Sequence, residues 1–222
     1  MSRLSSPPGR LRDAAREYAE RGWRLAPGHY LSAPGRHRRG GRHRPTEDTC
    51  SCRNPRCDQP GAHPLSPHWS IEATTDLYML AYWWYGPQPW NIILPTGELF
   101  DVWQAPLGVA TQALQTLRAA SQPIGPVAHT PEGEWLFFTE SRLGEPTPQL
   151  PPDLPVAYRG TGDYVLAPPS RLAGTAIRWW QPPAPAYPRM PNWEPIARAL
   201  LHAARHHGRG PIPAVVPVPR AG

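Results

Sequence analysis

Three cysteines and one histidine fall within fourteen residues, in the string CSCRNPRCDQPGAH. They are Cys50, Cys52, Cys57 and His63. Thiolates and imidazole nitrogens are the ligands that Zn²⁺ takes in closed tetrahedral sites, and four of them leave no open position for a catalytic water. The pattern therefore predicts a structural zinc knuckle over residues 50–63. Chance clustering is the alternative, because a Cys-x-Cys start is less usual than Cys-x-x-Cys.

A single carboxylate, Asp101, lies in the middle of an apolar run. The segment WNIILPTGELFDVW from Trp90 to Trp103 predicts two strands joined at a Pro95-Thr96-Gly97 turn, paired as a hairpin. A carboxylate in a buried strand is costly unless it binds a cation or accepts hydrogen bonds. Asp101 is therefore a candidate site residue.

Arginine supplies all of the 23 basic residues, and the formal net charge is +6. The run RHRRGGRHR has no apolar residue, and its five arginines are Arg36, Arg38, Arg39, Arg42 and Arg44. Such a run predicts either a nucleic-acid-binding arm that follows phosphate groups or a solvated loop. The absence of lysine points to genome composition, so the charge alone does not identify a nucleic-acid binder.

Composition limits the class of protein. A chain of 222 residues has room for one good core, and its 33 prolines and 19 glycines indicate long loops. No apolar run is long enough to span a membrane and no signal-peptide core is present, so we expect a cytoplasmic protein with no membrane partner. Clustered cysteines in that compartment favour a metal over disulfides.

Hydrophobic periodicity predicts a mixed α/β (α+β) fold. Helices are predicted over Arg10–Arg21, Leu77–Tyr85, Leu107–Ala120 and Pro195–His206. Strands are predicted over Trp23–Pro27, Gly125–Thr130, Trp135–Thr139, Val156–Arg159, Tyr164–Ala167 and Ala176–Trp180, besides the hairpin. The predicted organisation is a flexible N-terminus (1–9), a main domain (10–182), an extension with a short helix (183–208) and a disordered proline-rich tail (209–222).

The order of the motifs resembles a known family. The strings RGWRLAP, the cysteine knuckle, WNIILPTG with FDVW, TPEG and YRGTGDYVLAPPS are similar to the N-terminal domain of bifunctional DNA primase/polymerases, in the archaeo-eukaryotic primase superfamily. The resemblance covers about residues 10–180. It implies a primase-like core of mixed sheet with flanking helices and a zinc-knuckle insertion. It also implies DNA or nucleotide as ligand, with replication-type protein partners in trans.

The family's chemistry is two-metal nucleotidyl transfer with Mg²⁺ or Mn²⁺, which requires several converging carboxylates. The resemblance places Asp101 at the first position of the acidic pair. The second acidic position falls on Trp103, a histidine position on Trp135 and a third carboxylate on Ala157. One carboxylate cannot hold two divalent ions, so we expect a catalytically inactive domain that retains nucleic-acid or nucleotide binding.

Four further residues match positions at which the family approaches nucleotide phosphates. They are Thr130, Gly133, Arg159 and Gly160. Arginine can contact phosphate without a metal ion. The alternative is structural: the glycines shape turns, and Arg159 forms an internal ion pair with Asp101 or Asp163.

Two other functions stay open at this stage. The first is an active DNA primase/polymerase whose metal ligands have moved to nearby acidic residues. The second is a protein-interaction module that binds no nucleotide, because Trp103 and Trp135 fill the cleft. Carboxylates converging on Asp101 would favour the first, and a cleft filled by Trp103 and Trp135 with no basic path leading to it would favour the second.

Overall fold

The structure is a computed structural model that describes residues 8–32, 49–172, 174–184 and 189–207. Its helices are α1 (Pro8–Glu20), α2 (Trp69–Glu72), α3 (Leu77–Trp84), α4 (Leu107–Ala119) and α5 (Trp193–His206). Its strands are β1 (Ala26–Gly28), β2 (Leu31–Ser32), β3 (Thr49–Cys50), β4 (Asn91–Pro95), β5 (Phe100–Pro106), β6 (Val127–His129), β7 (Glu134–Glu140), β8 (Ala157–Arg159), β9 (Tyr164–Leu166), β10 (Arg171–Leu172), β11 (Thr175–Ala176) and β12 (Arg178–Gln181). The predicted α+β class is confirmed. The predicted basic arm and proline-rich tail lie outside the described residues.

The chain divides into two compact units. The first comprises Met1–Leu94 and Leu166–Ile177, and the second comprises Pro95–Val165 and Arg178–Gly222. Both units are therefore built from two separate segments of the chain.

In the first unit, α1 packs against α3. The buried face of α1 carries Leu11, Ala15 and Tyr18, at the three- and four-residue spacing that the sequence predicted. Strand β1 pairs antiparallel with β4, with Ala26 opposite Ile93. Strands β2 and β3 form a short ladder that ends at Cys50, so the start of the cysteine cluster is fixed by a sheet.

The predicted hairpin is wrong. Strand β4 pairs with β1, whereas β5 pairs with β7 and β8 in another sheet. Consecutive residues are buried in both strands, which is typical of strands covered on both faces and paired with distant segments. The turn between the two strands is present, and in it the N–H of Gly97 donates to the carbonyl of Phe100 over 2.9 Å.

The second unit contains an antiparallel five-stranded sheet in the order β12–β6–β7–β5–β8. Helices α4 and α5 pack on it and on each other. Their buried side chains, among them Leu114 and Leu200, form one hydrophobic cluster with Trp103, Trp135 and Trp180. The sequence predicted α4 and α5 to within two residues at each end.

Three local features differ from what the sequence pattern predicts. The helical spacing of Leu77, Leu80, Ala81 and Trp84 predicts one buried face of α3, but of these four residues only Leu80 and Trp84 are buried. The predicted strand Ala176–Trp180 is two strands, β11 and β12, which belong to different sheets. The short helix α2 was not predicted. None of the helices in the described part of the chain is long and apolar enough to cross a membrane.

Candidate functional site

The four predicted metal ligands come together in the first unit. One ligand atom from each of Cys50, Cys52, Cys57 and His63 lies within 4.8 Å of the other three. The Sγ atom of Cys50 is 3.3 Å from Nε2 of His63. Tetrahedral Zn–S bonds place neighbouring sulfur atoms about 3.8 Å apart, so these ligand atoms can close around one such ion. Among the described residues, this is the one group of three or more His, Cys, Asp or Glu side chains placed to hold a metal ion.

Backbone groups hold the cluster in shape. The N–H of Gly61 donates to Cys50 Sγ over 3.3 Å, and the N–H of Asn54 donates to Cys52 Sγ over 3.4 Å. Arg53 and Gly61 have positive φ values of 60° and 73°, which form the turns that bring the ligands together. The knuckle therefore presents its sulfur atoms to hydrogen-bond donors that favour thiolates.

A hydrogen bond also orients the histidine, and the pKa values of two thiols are shifted, one by a hydrogen bond and one by burial. Nδ1 of His63 lies 3.1 Å from the carbonyl of Pro64, which leaves Nε2 facing the sulfur atoms. The backbone N–H of Asn54 lowers the pKa of Cys52 to about 7. Burial raises the pKa of Cys57 to about 11. A bound cation would displace the remaining thiol protons, so metal binding here releases protons.

Sequence reasoning missed two residues that support the cluster. The ring of His29 packs on His63 with centroids 4.3 Å apart, and its Nδ1 lies 2.7 Å from Oγ of Ser51. Burial, with a smaller contribution from His63, lowers the pKa of His29 to about 4. His29 follows strand β1, twenty-one residues before Cys50, so no local spacing in the sequence connects it with the knuckle.

In the second unit, Asp101 is fully buried. Its Oδ2 accepts hydrogen bonds from the Tyr158 hydroxyl over 2.6 Å and from the Arg142 N–H over 2.7 Å. Its Oδ1 has no hydrogen-bond partner among the described residues. Burial and the neighbouring carboxylate raise the pKa of Tyr158, so the phenol stays protonated as a donor. Asp101 is thus held by protein donors.

Both predicted cleft tryptophans belong to the core. Trp103 and Trp135 are 1% and 7% exposed, and they lie in the hydrophobic cluster beneath α4 and α5. The ring of Trp103 packs on Tyr158, and that of Trp135 packs on Trp180. Ala157 is half-buried on β8, opposite Gln104. The three positions that the resemblance assigns to a second acidic residue, a histidine and a third carboxylate therefore hold no metal-ligating side chain.

The four predicted phosphate-contact residues form two separate pairs. Thr130 and Gly133 shape the β6–β7 turn, where the Thr130 N–H donates to Glu134 and the Gly133 N–H donates back to Thr130. Arg159 and Gly160 lie at the end of β8. Glu134, next to Gly133, is opposite Pro106 on β5, and Arg159 is opposite Val102 on the same strand. Four residues of extended strand separate Val102 from Pro106, so the two pairs lie about 14 Å apart along β5.

The loop after β8 packs tightly on the turn after β4. The Thr96 hydroxyl donates to the Gly160 carbonyl over 2.7 Å, and the Thr96 N–H donates to Asp163. A Cβ atom at Gly97 would lie 2.2 Å from the Cα of Thr161, and Gly97 has a φ of +100°. Only glycine fits there. Arg159 Nη1 is 3.8 Å from Asp163 Oδ1, with both side chains nearly half exposed.

A comparison with known protein families identifies the family of this chain. The model of the family described as bifunctional DNA primase/polymerase, N-terminal, matches residues 15–193. The chain belongs to this family. A search of curated proteins found no match. The resemblance in the sequence is therefore confirmed, and nucleic acids or nucleotides are the general ligand class of this primase/polymerase family.

Asp101 and Arg159, two residues that the sequence analysis assigned to the site, lie in different surroundings. Asp101, which the sequence resemblance assigns to the acidic pair, is buried and accepts hydrogen bonds from protein donors. The two predicted ion-pair partners of Arg159 are Asp101 and Asp163. Asp163 lies near Arg159, whereas Asp101 accepts hydrogen bonds from Tyr158 and Arg142. The arginines predicted to follow phosphate groups, at positions 36, 38, 39, 42 and 44, lie outside the described residues.

Proposed function

We propose that this chain is a primase/polymerase-family domain that no longer carries out two-metal nucleotidyl transfer and instead binds nucleic acid or nucleotides. One observation carries the proposal. The position of the acidic pair contains Asp101, which accepts two protein hydrogen bonds, and Trp103, which is part of the core. Two divalent cations need several converging carboxylates, and among the described residues Asp101 belongs to no group of three or more His, Cys, Asp or Glu side chains placed to hold a metal ion.

Zinc is the metal that we propose for the knuckle. Three thiolates and one imidazole suit Zn²⁺ better than Mg²⁺ or Mn²⁺, which prefer oxygen ligands. A site with four protein ligands has no open position for substrate. The role of the ion is therefore to stabilise the segment around residues 50–63, and it takes no part in chemistry.

The deciding experiment measures template-directed nucleotide incorporation with Mg²⁺ and with Mn²⁺, beside the variant Asp101→Asn. We expect no incorporation by intact protein, together with measurable binding of a fluorescent oligonucleotide or nucleoside triphosphate. Incorporation that the Asn variant abolishes would show that other ligands have rebuilt the metal site, and would overturn the proposal. Absence of both incorporation and binding would leave the protein-interaction function.

A further inference from the structure

Helix α3 in the first unit presents tyrosines to solvent. Tyr78, Tyr82 and Tyr85 are 82%, 76% and 78% exposed. Their spacing of four and three residues places them on one face of the helix, with Cα atoms about 6 and 4.5 Å apart along its axis. The opposite face, with Leu80 and Trp84, is buried. An apolar helix that buries only one side leaves the other available for a partner.

Charged side chains of both signs border this face. Helix α3 itself has no charged residue, and the carboxylate of Asp76 caps its N-terminus. Beside it, a cavity of about 450 Å³ is lined by Tyr85, Leu77 and, from α1, Arg12, Arg16 and Asp13. The Arg12 guanidinium lies 5.9 Å from the centre of the Tyr85 ring. The side chain of Arg16 also donates a hydrogen bond to Glu20, and Nε of Arg12 lies 3.8 Å from Oδ1 of Asp13.

We infer that this tyrosine face, with Arg12 and Arg16 at its edge, binds single-stranded nucleic acid. Exposed aromatic rings stack on bases regardless of sequence. The side chains of Arg12 and Arg16 are 50% and 70% exposed, so their guanidinium groups stay accessible to phosphates beside their carboxylate neighbours. Tyrosine also suits a wet surface, because its hydroxyl stays hydrated while its ring packs. The inference rests on the proposed nucleic-acid binding and names a surface for it that is separate from Asp101, Arg159 and the arginine-rich run.

The test is the affinity for a fluorescein-labelled dT₁₅ oligonucleotide, measured by anisotropy at several salt concentrations. Tyr78→Ala and Tyr82→Ala should each weaken binding about five-fold or more, whereas Tyr78→Phe and Tyr82→Phe should retain it. The tyrosine variants should leave the slope of log K against log salt unchanged. Arg12→Gln should reduce that slope by about 0.7. Leu143→Ala, at an exposed apolar residue of the second unit, is the matched control.

Three results would overturn the inference. If wild-type protein binds dT₁₅ and the double variant Tyr78→Ala/Tyr82→Ala binds it equally well, the surface is wrong and the proposed function stands. If wild-type protein does not bind the oligonucleotide, the inference fails, and the proposed function fails with it when no nucleoside triphosphate binds either. If light scattering shows a wild-type dimer that the double variant converts to monomer, the tyrosine face serves a second copy of this chain instead.

Discussion

The hydroxyl of Tyr158 donates a 2.6 Å hydrogen bond to Asp101 across the β8–β5 pair. The backbone N–H of Arg142 donates to the same oxygen. The Arg142 guanidinium is itself held, 4.3 Å from the Trp193 ring centre and bonded to Glu145. Asp101 is therefore part of an internal network that connects β5, β8, α5 and the loop after β7.

This network predicts different costs for two substitutions of Asp101. Asp101→Ala removes the acceptor of two buried donors and should lower the free energy of unfolding by about 2–4 kcal/mol. In Asp101→Asn the amide oxygen can accept both bonds, so we expect a loss of about 1 kcal/mol or less. Urea denaturation measures both values, with Glu132→Gln on the exposed β6–β7 turn as control. Equal losses for Ala and Asn would contradict the structural role of the two bonds.

The proposed zinc knuckle predicts that Cys52→Ser loses bound zinc and stability together. Folding creates the ligand geometry, so the binding free energy of the ion becomes folding free energy. Elemental analysis should find one zinc per wild-type chain, and a chelator should lower the unfolding temperature of wild-type protein. Arg56→Ala, an exposed position inside the knuckle, should change neither. Metal-free wild-type protein with normal stability would rule out this prediction.

The arginine-rich run predicts strong salt dependence of oligonucleotide binding. Each phosphate contact made to a single strand contributes about −0.7 to the slope of log K against log salt. Replacing all five arginines by glutamine should weaken binding at low salt and flatten this slope by up to about 3.5. The residues are Arg36, Arg38, Arg39, Arg42 and Arg44. An unchanged slope would show that the run is a solvated loop.

His129 predicts a contribution to pH-dependent stability. Burial, with repulsion from Arg178 on the paired strand, lowers its pKa below the ordinary value. The unfolded chain then takes up a proton at higher pH than the folded chain does, so stability falls as pH drops below about 6.5. His129→Asn should make the decline between pH 7 and pH 5 shallower, as measured by unfolding temperature. Parallel curves for the two proteins would exclude this contribution.

Features with local causes were predictable from the sequence. The knuckle ligands lie within fourteen residues, and His63 is placed by turns at Arg53 and Gly61. Helices α4 and α5 follow the spacing of their apolar residues, because each buries one face. Family membership followed from motif order, and the family match confirms it.

Tertiary structure alone decided how distant segments meet. The sequence predicts β4 and β5 as one hairpin. Strands that are buried on both faces can pair with segments from any part of the chain, and β5 pairs with β7 and β8. The donors to Asp101 lie 41 and 57 residues away, so no spacing could identify them. The position of His29 and the exposure of the α3 tyrosines could not be predicted for the same reason. Burial depends on what packs against a residue, and only the folded chain determines that.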